Sequence, residues 1–183
     1  MLYVEKIPNY NSLDNKQRRR TQHKFAWDLL QKKLRQNYNI DLSAQKILLG
    51  ANGKPYIENS DIYFSISHCN NMVAIFVSNN RNGVDIEQIR TAKPDLIQRV
   101  CSESECNYIM QSNNPDKEFT KLWTLKESFV KADGRGLGFG LDNITFDLTG
   151  GKIISNQSAE FNLFEFADFV IATCEFCKEN FNK

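Results

Sequence analysis

Two short acidic segments contain the residues of this chain whose types and spacing are best suited to chemistry. The first carries Asp85 and Glu87, and the second carries Glu127 and Lys131. In a strand, the period of two would place Asp85 and Glu87 on one face. In a helix, Glu127 and Lys131 would lie one turn apart on one face. Three carboxylates beside lysines suit a hard divalent cation that holds a phosphorylated substrate.

The flanking sequence predicts which elements position these residues. Alternating and apolar runs at 62–67 and 72–77, followed by a tight turn, predict a three-strand meander that ends at Asp85 and Glu87. Helical spacing predicts a helix from about 116 to 132 that carries Glu127 and Lys131. An earlier helix is predicted from 16 to about 37, with Asp14 or Asn15 as its cap and several basic residues on its surface.

The remaining segments complete a plan in which each half is a helix followed by antiparallel strands. A helical region is predicted at 94–110, and Ser102 with Glu105 fits a capping box inside it. Strands are predicted at 2–7, 144–148, 152–155, 160–166 and 169–176. The expected fold class is therefore α+β, with two similar halves side by side and a ligand cleft between them.

Composition limits the classes of partner. The chain has 183 residues, is 41% hydrophobic and carries 23 Lys plus Arg against 22 Asp plus Glu, for a net charge of +1. This balance gives no support for bulk binding to nucleic acid or to an anionic membrane. Five cysteines without framework spacing, no signal-peptide pattern and no run of about 18 apolar residues predict a reduced, cytoplasmic protein. The lone Cys174/Cys177 pair is interpreted as incidental.

Five motifs occur in a fixed order between about 50 and 142: GKP at 53–55, FSISH at 64–68, GVDIE at 83–87, WTLKESFVK at 123–131 and GRGLG at 134–138. In this order and spacing the chain resembles the 4′-phosphopantetheinyl transferases of the type first associated with peptide and polyketide synthetases, the surfactin-synthetase-associated (Sfp-like) type. The resemblance implies transfer of phosphopantetheine from coenzyme A to a serine of an apo acyl or peptidyl carrier protein. It also implies dependence on Mg²⁺, with Mn²⁺ as a possible substitute, and release of 3′,5′-ADP.

The same resemblance assigns residues to roles. Asp85, Glu87 and Glu127 would hold the magnesium, Glu127 would also take the serine proton, and Lys131 would neutralise charge on the leaving phosphate. Among the basic residues of the first helix, the choice between Arg19, Arg20, His23 and Lys24 for the 3′-phosphate stays open. The implied coenzyme A contacts are Arg19, Lys24, Gly53, Lys54, Pro55, Ser67, His68 and Lys126.

The resemblance also implies how the chain is divided. Residues 1–82 would form an N-terminal half that contacts the nucleotide, and residues 83–183 a C-terminal half with the metal site and the catalytic helix. The two would make one compact unit. In the family, chains of this length hold both halves and can act as monomers.

Ordinary structural explanations exist for each residue taken alone. Glu127 and Lys131 fit a surface ion pair, Asp85 and Glu87 an exposed edge strand, and Trp123 a core residue. The glycines at 134–140 fit a loop that needs positive φ. Two other functions remain open: a non-catalytic module that binds coenzyme A or a carrier on the same fold, and a magnesium-dependent nucleotide phosphodiesterase.

Overall fold

A computed structural model describes residues 1–136 and 140–177. Four helices lie within these ranges: α1 (Asn15–Tyr38), α2 (Pro94–Val100), α3 (Glu103–Gln111) and α4 (Pro115–Asp133). The strands in the described ranges are β1 (Leu2–Lys6), β2 (Ile47–Leu49), β3 (Pro55–Ile57), β4 (Tyr63–Cys69), β5 (Met72–Ser78), β6 (Asn82–Gln88), β7 (Phe146–Asp147), β8 (Ile154–Ser155), β9 (Glu160–Phe166) and β10 (Phe169–Glu175).

Two three-stranded antiparallel sheets organise the molecule, and each carries one long helix. The first has the order β1-β5-β4 and packs against α1. The second has the order β6-β10-β9 and packs against α4. Two short hairpins, β2-β3 and β7-β8, complete the described sheets. The predicted α+β class, with an antiparallel sheet and a main helix in each half, is confirmed.

The predicted meander is wrong at its third strand. β4 and β5 form a hairpin, but β6 pairs with β10, with Glu87 opposite Val170 and Asp85 opposite Ala172. The turn residues before β6 correctly indicated that the chain changes direction there, but they do not specify the strand with which β6 forms backbone hydrogen bonds. That partner lies more than 80 residues later in the sequence, where local patterning does not reach.

β4 and β6 nevertheless lie side by side, joined by side chains instead of a backbone ladder. The Asn82 amide donates to the carbonyl oxygen of Tyr63 at 3.0 Å, and the Ser65 hydroxyl accepts from the Val84 amide at 3.1 Å. These contacts advance in step along both strands, so the strands run in the same direction. We call this contact between β4 and β6 the seam; it joins the two sheets.

α4 packs directly onto β6, and Gly83 makes this close approach possible because it has no side chain. A Cβ atom built on Gly83 would lie 1.9 Å from the carbonyl oxygen of Ser128, so only glycine fits there. The helix begins at Pro115 after Asn114, whose side chain accepts from the Lys117 amide. It ends at Gly134, which has a φ of 81° and so supplies the left-handed cap. The close approach fixes α4 over the acidic strand.

The predicted helical region at 94–110 is two helices. α2 ends at Val100, and Ser102 is the N-cap of α3. The predicted capping box is present there. The Ser102 hydroxyl accepts from the backbone amide of Glu105, and the Glu105 carboxylate accepts from the backbone amide of Ser102 at 2.7 Å. The side chain of Glu105 points into the core at this corner, where it meets α4.

All five cysteines are free thiols. Cys174 is buried within β10 and Cys177 is exposed just beyond it. Burial raises the pKa of the Cys174 thiol well above its usual range, which disfavours the thiolate that reacts or binds metal. Within residues 1–136 and 140–177, no helix has both the length and the apolar character needed to cross a bilayer.

Candidate active site

The seam opens into a cleft between α1 and α4. One cavity of about 540 Å³ is lined from α1, β4, β6 and α4, and an adjoining cavity of about 300 Å³ extends it toward the end of α4. Residues from both acidic segments and from the GKP and FSISH motifs meet in it. The first cavity includes His23, Trp27, Gly53, Pro55, Ser67, His68, Asp85, Glu87, Trp123, Glu127 and Lys131, and the second adds Asn52, Lys54, Gly134 and Gly136.

Asp85 lies at the centre of the acidic cluster, and its side chain is only 5% exposed. Its Oδ1 accepts hydrogen bonds from the Ser67 hydroxyl at 2.8 Å and from the Lys131 ammonium at 2.7 Å. Its Oδ2 is buried and has no hydrogen-bond partner. A buried carboxylate oxygen without a donor is costly, so this atom is a place where a cation would stabilise the site.

The carboxylates of Glu87 and Glu127 lie close to other negative charges. Burial, followed by the charge of Asp85, raises the pKa of Glu87. Burial and Asp85 also raise the pKa of Glu127, an effect that the Lys131 ammonium partly opposes. The three carboxylates are therefore close enough to repel one another, and the opposing charges, Lys131 on Glu127 and Arg90 on Glu87, do not cancel the rise in either pKa.

This donor set fits a magnesium ion that a substrate helps to hold. In the described ranges no group of three or more His, Cys, Asp or Glu side chains is arranged so that it could hold a metal ion by itself. Mg²⁺ is usually bound by one or two carboxylates together with water and substrate phosphate, so a complete protein cage is not required. A cation bound here would interact with the unpartnered Oδ2 of Asp85 and would reduce the repulsion between the carboxylates.

His68, Gly53 and Pro55 line the larger cavity together with residues of α1. Partial burial, together with the nearby Lys131 ammonium, lowers the pKa of His68. Lys54 lies between the two halves, where its ammonium donates to the Asn82 carbonyl at 2.6 Å. Burial, with the charge of Arg81, lowers the pKa of Lys54 to about 8.

The basic residues of α1 are not equivalent. His23 lines the cleft and accepts from the Trp27 indole N–H at 3.2 Å. Arg19 lies one helical turn before His23 on the same face and is exposed. Lys24 is exposed and forms an ion pair with Asp28, outside the residues that line the two cavities. Of the open alternatives, the structure therefore brings His23 into the cleft, whereas Arg19, Arg20 and Lys24 are exposed and line neither cavity.

Lys126 corrects the expected set of coenzyme A contacts. Its side chain is 0% exposed and its ammonium donates to Glu105 at 2.7 Å, to the Val100 carbonyl at 2.6 Å and to the Leu141 carbonyl at 3.2 Å. These three acceptors use all of its hydrogens. The helix turns Lys126 toward the core while it turns Glu127 toward the cleft, because adjacent helical residues are about 100° apart.

Two aromatic residues of the cleft were not assigned from the sequence. Trp27 lines it from α1, and Trp123, which was interpreted as core, lines it beside Glu87. The position of Trp123 at the start of the WTLKESFVK motif was the available signal. Of the glycine-rich segment, Gly134 and Gly136 line the smaller cavity, whereas Leu137 and Gly138 lie outside the described residues.

Comparison with known proteins identifies the family of the chain. A sequence model of the 4′-phosphopantetheinyl transferase superfamily matches residues 81–174, just over half of the chain. A 4′-phosphopantetheinyl transferase of Bacillus subtilis is 33% identical over 115 residues, which are 61% of this chain and 51% of that protein. The 4′-phosphopantetheinyl transferase Sfp of Bacillus subtilis strain 168 is 28% identical over 123 residues, 66% of this chain and 55% of that protein. The chain belongs to the 4′-phosphopantetheinyl transferase superfamily.

The chain spans about half the length of the curated relatives that it matches. Among solved structures, it is similar to a holo-(acyl-carrier-protein) synthase from Bacillus anthracis in complex with CoA (3′,5′-ADP). That similarity has a TM-score of 0.46 and 20% sequence identity, and it covers 52% of this chain and 96% of the synthase.

Proposed function

We propose that this protein transfers the 4′-phosphopantetheine group from coenzyme A to a serine of an acyl or peptidyl carrier protein, with release of 3′,5′-ADP. The observation that carries this proposal is the meeting of Asp85, Glu87, Glu127 and Lys131 in one cleft. All four come from β6 and α4, inside the segment that matches the superfamily.

In the proposed reaction the carrier serine oxygen attacks the phosphorus that bears pantetheine. A new P–O bond forms, the bond from that phosphorus to the oxygen of 3′,5′-ADP breaks, and the serine proton must be accepted by a base. Glu127 is the candidate base, acting directly or through a water molecule. Its raised pKa supports this role, because a base is most effective when its pKa approaches the working pH.

Asp85, Glu87 and Glu127 are the residues that would hold a magnesium ion. When bound, the ion would supply positive charge that neutralises the pyrophosphate of coenzyme A. Mn²⁺ prefers the same oxygen ligands and is expected to substitute. Support comes from the unpartnered Oδ2 of Asp85 and from the raised pKa values of both glutamates.

Lys131 is proposed to neutralise charge on the departing 3′,5′-ADP. Its ammonium is 2.7 Å from Asp85, one helical turn from Glu127, and its side chain is 30% exposed to the cleft. A fixed cation beside developing negative charge lowers the barrier because it needs no reorganisation during the reaction. His68 and His23 line the part of the cleft where we place the 3′-phosphate, with Gly53 and Pro55 on the nucleotide, and the exposed Arg19, one helical turn before His23, is the candidate arginine.

Intact-mass spectrometry of several apo carrier proteins tests the proposal. Each carrier is incubated with the protein, coenzyme A and Mg²⁺, and then again with a chelator added. We expect the mass of one phosphopantetheine to be added to at least one carrier, and the addition to disappear with the chelator. The carriers that respond identify the preferred partner class.

The alternative functions give different results in the same experiment. A phosphodiesterase would release 3′,5′-ADP from coenzyme A without any carrier present. A non-catalytic module would bind coenzyme A and modify no carrier. The absence of both modification and coenzyme A binding would contradict the proposed function altogether.

A further inference from the structure

The seam between β4 and β6 contains two serines that make the same backbone contact. The Ser65 hydroxyl accepts from the Val84 amide at 3.1 Å, and the Ser67 hydroxyl accepts from the Ile86 amide at 3.4 Å. Both serines are buried and lie two residues apart, so they share one face of β4. As structural links between the two sheets, the two hydroxyls are equivalent.

Ser67 makes two further contacts that connect it to the acidic cluster. Its hydroxyl donates to Asp85 Oδ1 at 2.8 Å and accepts from the Lys131 ammonium at 2.8 Å. A serine hydroxyl has one hydrogen and two lone pairs, so the three contacts use its full capacity. Ser67 is only 7% exposed.

These contacts divide the two oxygens of Asp85 between two tasks. Oδ1 is held by Ser67 and Lys131, whereas Oδ2 is buried without a partner. A carboxylate whose one oxygen is fixed by a hydroxyl from a neighbouring strand has little freedom to rotate. Hydrogen bonds of this kind orient metal-binding carboxylates in proteins, and their loss typically weakens metal binding by about 10- to 100-fold.

We propose that Ser67 is a positioning residue for the metal site: it holds Asp85 Oδ1 so that Oδ2 is left for the divalent cation, an inference that rests on the proposed function. This role differs from the nucleotide contact that the resemblance to the family implies for Ser67. Because its hydrogen and both lone pairs are already used, a nucleotide contact would require Ser67 to break one of its present bonds.

Two binding measurements separate the positioning role from the nucleotide contact. Mn²⁺ binding is followed by the electron paramagnetic resonance of the free ion, with every variant saturated with coenzyme A, because substrate phosphate is expected to complete the ligands of the ion. Coenzyme A affinity is measured by calorimetry in the presence of a chelator, where no metal contributes. The variants are Ser67→Ala, Ser67→Thr as the rescue that keeps a hydroxyl, and Ser65→Ala as the matched control for a lost seam contact.

We expect Ser67→Ala to bind Mn²⁺ at least about tenfold more weakly, with coenzyme A affinity in chelator changed less than about twofold. Ser67→Thr should recover most of the Mn²⁺ affinity, and Ser65→Ala should bind Mn²⁺ like the wild type. Thermal unfolding of all variants in chelator shows whether each is folded. If Ser67→Ala does not fold, Ser67→Cys replaces it in the comparison. The thiol is a much weaker hydrogen-bond donor than the hydroxyl, so this variant should also bind Mn²⁺ more weakly than the wild type.

Unchanged Mn²⁺ affinity in Ser67→Ala, with weaker coenzyme A binding, would overturn the positioning role and leave the proposed transferase function intact. An equal loss of Mn²⁺ affinity in Ser65→Ala would also overturn it, because the effect would then belong to the seam as a whole. A wild-type protein that binds no Mn²⁺, with or without coenzyme A, and modifies no carrier would refute the proposed function itself.

Discussion

Two lysines on α4, five residues apart, have opposite surroundings. Lys126 is fully buried beside one carboxylate, Glu105, and its ammonium has three acceptors. Glu105 is equally satisfied, because it also accepts from the amides of Ser102 and Phe146. Lys131, in contrast, forms an ion pair with Asp85, which has a buried oxygen without any donor, and it lines the same cavity as Glu87 and Glu127.

The contrast separates a structural ion pair from one that we propose to be functional. The Glu105–Lys126 pair joins α3, α4 and β7. Every hydrogen of the ammonium and both oxygens of the carboxylate have hydrogen-bond partners within the protein, so the pair is not available to bind a ligand. The cluster around Lys131 has an excess of negative charge and an open cavity beside it. An incompletely satisfied site costs stability in the empty protein and can recover that cost when a cation and a phosphate bind.

The largest effect is expected where the satisfied pair is broken. Lys126→Met would leave the carboxylate of Glu105 buried without its counter-ion, a loss of about 3–5 kcal/mol in the free energy of unfolding. Urea denaturation measures this, with Lys117→Met as the control: Lys117 is a partly exposed lysine of the same helix, and its loss is expected to cost less than about 1 kcal/mol. A stable Lys126→Met protein that binds coenzyme A poorly would restore Lys126 to the ligand contacts.

The next effect is on activity, at the unsatisfied cluster. Glu127→Ala should lower the rate of carrier modification by at least about a hundredfold, because it removes both a proposed metal ligand and the proposed base. Circular dichroism should show an intact fold. Glu118→Gln is the matched control, since Glu118 lies on the same helix and pairs with Lys121 outside the cleft. Full activity in Glu127→Ala would eliminate the proposed metal site and base together.

A smaller effect is expected for the lysine of the cluster. Lys131→Ala should slow turnover by about tenfold or more while it changes the affinity for coenzyme A much less, because its proposed contact strengthens as the leaving group gains charge. Steady-state kinetics with a carrier, compared with calorimetry of coenzyme A binding, separates the two. A variant with normal turnover and weak coenzyme A binding would contradict the role at the leaving group.

The smallest effect concerns stability and pH in chelator. The folded-state pKa of Glu127 is raised above its unfolded value of about 4.3, so the folded protein binds that proton more tightly and the charged form destabilises it near pH 7. Glu127→Gln should therefore unfold at a higher temperature than the wild type at pH 7, because it removes the buried charge that Asp85 repels.

The difference between the two proteins should shrink as the pH falls through the raised pKa, because Glu127 of the wild type then becomes protonated. Scanning calorimetry at several pH values measures it. Comparison with the variant is needed because Glu165 and Asp147 have lowered pKa values and change stability in the opposite direction on acidification. A constant difference across the pH range would show that repulsion at Glu127 is not its cause.

Local pattern was a good guide wherever neighbours in the sequence set the structure. The strand that carries Asp85 and Glu87, the helix that carries Glu127 and Lys131, and the capping box from Ser102 to Glu105 were all predicted from spacing alone. It was a poor guide to the partner of β6, which lies in β10, and to the environment of Lys126. Both depend on segments that are distant in the sequence.

The sequence by itself determined the residue types available for chemistry, the elements that carry them and, through ordered motifs, the superfamily. Only the tertiary structure decided which lysine of the WTLKESFVK segment faces the cleft, that Ser67 holds Asp85, and that one carboxylate oxygen is left unpartnered. The physical reason is that burial and charge balance are sums over neighbours from several distant segments. The nine-residue WTLKESFVK motif contains only one residue of each of these contacts. The partner residue comes from a distant segment that packing of the two halves brings close.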